Sequence, residues 1–146
     1  MKIEKILVPT DFSEAAEKAF DYALFLAETH TAEVTILHVV DQLQGMAQYE
    51  ILALTPAEIA ERLKKSAQQS LQAMVERAKQ RVSATQTVRE GKTWDVICQA
   101  AADEHADMIV MASQGRTGLA HALIGSVAES VVRHANCPVL VVREQK

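Results

Sequence analysis

Short runs of strand-forming residues, most of them apolar, alternate along this chain with longer segments of helical period, and that alternation leaves few folds open. The runs are Ile6–Val8, Val34–Val40, Ala84–Arg89, Met108–Ala112 and Val139–Val142. A strand wetted on one face alternates apolar with polar residues, whereas a continuous apolar strand belongs to a parallel sheet covered by helices on both faces. The intervening segments carry helical apolar faces. The first comprises Ala15, Ala16, Ala19, Phe20, Ala23, Leu26 and Ala27, and the second Ile59, Leu63, Ala67, Leu71, Met74, Val75 and Ala78. A third runs through Trp94, Val96, Ile97 and Ala101, and a fourth through Val127, Val131 and Val132. The expectation is therefore an α/β fold of stacked βαβ units, with five strands and four helices. A chain of 146 residues with 49% hydrophobic composition fits one compact domain over residues 1–146. The second helix has the best-marked start, because Thr55-Pro56-Ala57-Glu58 combines a capping box with a proline at the first helical position. The stretch from Asp41 to Leu54 holds no sustained period and reads as a connecting loop.

Charge and composition exclude several partners. A formal net charge of −4, with 15 Lys and Arg scattered rather than striped, does not suit a phosphate-backbone surface, so no nucleic acid is expected. The longest apolar runs fall far short of the roughly 20 residues that cross a bilayer, which predicts a cytoplasmic protein with no membrane partner. Cys98 and Cys137 have no C-x-x-C spacing and read as buried thiols. His30, His38, His105, His121 and His134 show no paired-ligand spacing, so no metal centre is proposed. His38, at a strand end, reads as a packed, hydrogen-bonded side chain. Gly91-Lys92-Thr93 is not a Walker motif, because Gln86 stands where that motif needs its first glycine. Thr93 is expected to cap the following helix, with Trp94 packing at its start. No nucleophile, base and orienting group can be assembled, so no catalytic residue is assigned.

Three of the five glycines, Gly115, Gly118 and Gly125, fall between the fourth apolar run and the last helical segment. A strand that breaks into glycines and resumes as a helix brings backbone N–H groups and the positive end of a helix dipole to one point, which suits an anion. In an open parallel sheet, ligands sit beyond the carboxyl ends of the strands where the strand order reverses. Pro9-Thr10-Asp11, His38-Val39-Val40-Asp41 and Ala112-Ser113-Gln114-Gly115 then border one crevice, provided that the first strand lies between the second and the fourth.

Written out, the loop is Ala112-Ser113-Gln114-Gly115, nine residues, then Gly125-Ser126. Here the chain resembles the universal stress protein family, whose phosphate motif is G-x-x-G-x9-G followed by Ser or Thr. Ala112 stands in place of the first glycine. The opening Ile6-Leu7-Val8-Pro9-Thr10-Asp11-Phe12-Ser13, the pair His38-Val39 and the closing Asn136-Cys137-Pro138-Val139-Leu140-Val141-Val142 are similar to the family's first, second and last strands, so the resemblance covers the whole chain. It implies a Rossmann-like open sheet of order 3-2-1-4-5, often dimeric, in the branch of the family that holds ATP. Carried over by position, Pro9, Thr10 and Asp11 border the adenosine and Val39 meets the adenine. Ala112, Ser113, Gly115, Arg116, Gly125, Ser126 and Val127 surround the phosphates. AMP or ADP are alternative ligands, with Mg2+ as a further component.

Several positions keep two readings. Ser126 with Glu129 forms a capping box without any ligand, or its hydroxyl meets a phosphate oxygen. Asp11 serves ribose hydroxyls or Mg2+, or it is a turn residue for the helix beginning near Ser13. Arg116 neutralises a terminal phosphate or is solvated. Ala112 costs nothing if the position is strand-like, but about 1–2 kcal/mol if it needs a left-handed backbone. The leading function is an adenine-nucleotide-binding regulatory or stress-response protein, acting as a homodimer on an unidentified protein partner. Val139, Leu140, Val141 and Val142 are expected to pair across the dimer axis. The alternative is a dimeric interaction or chaperone-like module that binds no nucleotide. An ATP pyrophosphatase would need a glycine-serine loop after the first strand, which Pro9–Ser13 lacks. Any catalysis would be slow ATP hydrolysis.

Overall fold

The computed structural model describes residues 1–41, 53–115 and 124–143. Five parallel strands, β1 (Lys5–Pro9), β2 (Glu33–Val40), β3 (Ala84–Glu90), β4 (Met108–Ala112) and β5 (Val139–Val142), form one sheet of order β3-β2-β1-β4-β5. Four helices among the described residues connect them: α1 (Glu14–His30), α2 (Pro56–Lys79), α3 (Thr93–Asp103) and α4 (Ser126–His134). No described helix is long and apolar enough to cross a membrane.

Period-two alternation divides the core between the two faces of the sheet. Ile6, Val8, Val34, Ile36 and Val110 pack with Phe20 and Leu24 of α1 and with Leu71, Met74 and Val75 of α2. Leu7, Leu37, Ile109 and Met111 point the other way, onto Ile97 and Ala100 of α3 and Ala128 and Val131 of α4. This two-sided burial is why β1 and β4 read as unbroken apolar runs. β3 shows the contrast, for as an edge strand it leaves Thr85 and Gln86 exposed.

Helix starts are set by local hydrogen bonds. Ser13 caps α1, its hydroxyl accepting from the Ala16 N–H at 3.2 Å. Thr55 caps α2, accepting from the Glu58 N–H at 3.2 Å, with Pro56 in the first turn. The expected Thr93 cap is corrected: Lys92 holds the cap position of α3 without a side-chain bond, and Thr93 is already helical. Trp94 packs instead against His134 of α4, ring centres 4.4 Å apart. Of the loop read between Asp41 and Leu54, residues 42–52 lie outside the described residues.

The chain runs from β1 outward through β2 to β3, then crosses back to β4 on the other side of β1. The order therefore reverses between β1 and β4. Connections leaving their carboxyl ends diverge to opposite faces, which is where sheets of this topology form their ligand crevice.

Candidate functional site

The first wall of the crevice is the turn after β1. Pro9 is in register with Leu37, and the Thr10 N–H continues the ladder by donating to the Leu37 carbonyl at 2.8 Å. His38 Nδ1 lies 2.8 Å from the Thr10 carbonyl oxygen; a carbonyl only accepts, so Nδ1 carries the proton. The Phe12 N–H donates to Thr10 Oγ1 at 3.0 Å and the Ser13 N–H to Asp11 Oδ1 at 2.9 Å. Phe12 itself has φ 65°, a left-handed backbone that costs an aromatic residue about 1–3 kcal/mol. Its ring stacks on His38 at 4.7 Å between centres. Thus the turn reading of Asp11 is realised, through Ser13, and the strain at Phe12 is held by contacts on either side.

The second wall is the glycine loop. β4 ends with Ala112 in register with Val142, and the Ser113 N–H donates to the Val142 carbonyl at 2.9 Å. The Gly125 N–H then donates to the Ser113 carbonyl at 2.6 Å, so the two ends of the loop are tied together at the start of α4. A Cβ on Gly125 would lie 2.8 Å from that same carbonyl oxygen, which is why only glycine fits. A Cβ on Gly115 would lie 2.5 Å from Asp11 Oδ2. The turn after β1 and the loop after β4 therefore touch, carboxylate against Cα.

Gly125 is the N-cap of α4, with φ −72° and ψ 160°. This corrects the capping-box reading of Ser126, which is the first helical residue and makes no side-chain cap. The loop closure at Ser113 fixes which residue caps. The first N–H groups of α4, at Ser126 and Val127, have no acceptor within their own helix and sit at its positive pole. Ala112 is the last residue of β4 and is not among the described residues with positive φ. The strand-like case for Ala112 is thus the one observed, and the methyl group costs the backbone nothing.

The structure brings together Pro9, Thr10, Asp11, Val39, Ala112, Ser113, Gly115, Gly125, Ser126 and Val127 at one end of the sheet. Thr10 and Ser113 are buried, and Val39 is half-buried against the core on the α3 face. Arg116, together with Gly118, lies outside the described residues. Sequence reasoning left out Phe12 as a strained element of the turn; a non-glycine residue between Thr10, Asp11 and Ser13, all able to bond neighbouring amides, was the available signal. His38 is packed and hydrogen-bonded, as read. Cys98 and Cys137 are half-buried rather than buried. Burial is the first cause raising both thiols above the ordinary range, with Asp95 and the other cysteine adding at Cys98 and Asp107 at Cys137.

A separate cavity of about 230 Å³, lined by Lys5, Thr35, Thr85, Asp103 and His105 among others, opens at the amino-terminal ends of the strands. Among its charged lining residues, Lys5 pairs with Glu33 at 3.5 Å and Asp103 with Arg89 at 2.8 Å. It offers no convergent donors of the kind found at the carboxyl end.

Residues 2–143 match the family described as the universal stress protein family. Universal stress protein MJ0531 of Methanocaldococcus jannaschii is 36% identical, over 98% of this chain and 84% of its own length. MJ0577 of the same organism is 31% identical over 97% of this chain and 96% of its own. The solved structure of MJ0577 superposes with a TM-score of 0.88, covering 100% of this chain and 99% of that one. Two more distant structures share the fold. One is a universal stress protein in complex with cAMP, at 24% identity and TM-score 0.69, covering 99% of this chain and 100% of that one. The other is an Arabidopsis thaliana family protein with AMP bound, at 21% identity and TM-score 0.67, covering 97% of this chain and 92% of that one. With the family match spanning nearly every residue and the sheet order the same as the motifs imply, this chain belongs to the universal stress protein family.

Proposed function

We propose that residues 1–146 form one cytoplasmic nucleotide-binding domain that takes ATP with Mg2+, as a homodimer, and uses occupancy to change the surface offered to a regulatory partner. The observation that carries this reading is the tied loop: Gly125 bound to Ser113 at 2.6 Å presents the α4 N-terminus at the end of β4, the neighbour of β1. Phosphate oxygens are met by the amides of Ser126 and Val127, which the tied Gly125 presents, joined by Ser113, Gly115 and Arg116. Pro9, Thr10 and Val39 border the nucleoside. Asp11, whose second oxygen faces Gly115, serves the ribose hydroxyls or Mg2+. The donor set fits an anionic ligand with a cation or hydroxyls at its centre. Proteins of this fold that carry AMP and cAMP support the adenine. The nucleotide-free alternative drew its force from Ala112, and the extended backbone there lifts the conformational part of that objection, leaving only the room the methyl group takes.

Calorimetry with ATP, ADP and AMP in the presence of Mg2+ tests the reading, together with mass spectrometry of any ligand released from freshly purified protein. One site per chain is expected. No heat at millimolar ATP leaves the interaction-module reading in its place.

The dimer proposal rests on β5, the last strand of the sheet. The Ile109 N–H bonds to the Pro138 carbonyl and the Ser113 N–H to that of Val142, so alternate residues 138, 140 and 142 turn their backbone groups toward β4. Val139 and Val141 therefore turn theirs outward, to the free edge. Leu140, 36% exposed, leaves apolar surface there. Val141→Pro removes an outward donor that the isolated subunit does not use. Sedimentation equilibrium should show a dimeric parent and a monomeric proline variant; a parent that is monomeric at tens of micromolar, or a variant that stays dimeric, ends this part of the proposal.

A further inference from the structure

The turn after β1 is held by a residue that takes no part in the ligand shell described above. His38 stands on β2 and reaches across to β1, where its Nδ1–H donates to the Thr10 carbonyl at 2.8 Å and its ring stacks on Phe12 at 4.7 Å. Those two contacts bracket Asp11. Phe12 is left-handed at φ 65°, a conformation that persists in an aromatic residue only where its neighbours over-determine it. The Phe12 N–H is bound by Thr10 Oγ1 at 3.0 Å and the Ser13 N–H by Asp11 Oδ1 at 2.9 Å. With Oδ1 committed to Ser13, the other oxygen, Oδ2, has its direction fixed. It points at Gly115, so closely that a Cβ there would lie 2.5 Å away.

We infer that His38 is a positioning residue for the ligand site. It acts through the strained Phe12 turn to aim the Asp11 carboxylate at the glycine loop, and its tautomer, with the proton on Nδ1, is part of that device. The inference rests on the nucleotide-site reading for its effect on affinity, but the placement of Asp11 is a property of the free protein. Without the Nδ1–H donor the Thr10 carbonyl loses its partner, and without the ring Phe12 loses the surface that holds it left-handed. Loss of the donor lets the turn relax toward ordinary backbone angles and rotates Asp11 away from Gly115, and loss of the ring alone is the smaller of the two effects.

A double-mutant cycle on ATP affinity separates this from a merely structural role. His38→Phe keeps an aromatic ring and loses the donor, and should weaken ATP binding about tenfold in the parent but less than about twofold in an Asp11→Ala background. His38→Asn, whose side-chain amide nitrogen occupies nearly the same place as Nδ1, should recover affinity to within about threefold. Equal losses in both backgrounds would show that His38 does not work through Asp11, and an inert His38→Phe would overturn the inference outright. Ligand-free nuclear magnetic resonance decides the case in which the parent binds no ATP. Imidazole nitrogen shifts should show Nδ1 protonated, and the amide resonances of Ser13 and Gly115 should move in His38→Phe and return in His38→Asn. A Gly115 amide that ignores His38→Phe refutes the placement, whatever calorimetry finds.

Discussion

The turn after β3 and the turn after β1 both redirect the chain at the carboxyl end of the sheet, and both pass through a backbone conformation that L side chains rarely adopt. At β3 the residue is Gly91, at φ 139°, with its N–H bonded to the Val40 carbonyl at 3.1 Å. At β1 it is Phe12, at φ 65°. Gly91 has no side chain to strain, and the space a Cβ would need is already taken, 2.8 Å from Val96 Cγ2. Phe12 carries the full penalty and is held by His38 and Thr10. The first turn lies at the edge of the sheet and only has to start a helix. The second lies at the reversal point and also has to present Asp11. Thr31, Ala53 and His105 share the positive φ elsewhere in the chain, so what sets Phe12 apart is its place beside Asp11, which fits the site proposed there.

Breaking the structural turn should have the larger effect on stability. Gly91→Ala meets both the unfavourable φ and the Val96 methyl group, and is expected to cost about 2–3 kcal/mol in urea unfolding. ATP affinity of the folded fraction should stay within about twofold, because independent sites do not couple. A loss below about 1 kcal/mol would mean that the β3 turn yields as readily as any loop, and the contrast with β1 would weaken.

Next in size comes the glycine that ties the loop. At φ −72° Gly125 has a conformation open to any residue, so the obstacle is space alone. Gly125→Ala drives a methyl group against the Ser113 carbonyl, which belongs to the backbone and cannot swing aside. The 2.6 Å hydrogen bond opens, and ATP affinity should fall about tenfold with only a small change in melting temperature. Gly125→Glu should bind no nucleotide, but steric opening and charge then act together, so the alanine variant is the sharper probe. Undiminished binding by Gly125→Ala would detach the tied loop from the ligand.

Much of this architecture was legible in the residues because it depends on burial, which has a period. β4 and β5 begin and end where their apolar runs do, and Thr55-Pro56-Ala57-Glu58 marked the start of α2 to the residue. β1 extends one residue beyond its run at each end, to Lys5 and Pro9, where pairing with Glu33 and Leu37 continues after hydrophobicity stops. The caps of α3 and α4 were misplaced by one position. Residue type favours Thr93 and Ser126, but the cap at α4 is chosen by a bond to Ser113, twelve positions earlier, which no local pattern records. Phe12 was hidden for the same reason: its backbone angle is imposed by His38 from another strand.

The smallest effect is expected where the sequence departs from its family's motif. Ala112 replaces a glycine, yet it ends β4 in register with Val142 and is absent from the described residues of positive φ. Its N–H and carbonyl are the same groups a glycine would offer. Ala112→Gly should therefore change ATP affinity by less than about twofold. The loss of a strand side chain and the added freedom of the unfolded backbone should lower stability by about 0.5–1 kcal/mol. Calorimetry and urea unfolding on the same preparation measure the two quantities. A marked gain in affinity would show that the methyl group occupies room a phosphate needs. A marked loss would make Ala112 a contact in its own right, and the glycines that matter would then be the two whose missing Cβ atoms face Asp11 and Ser113.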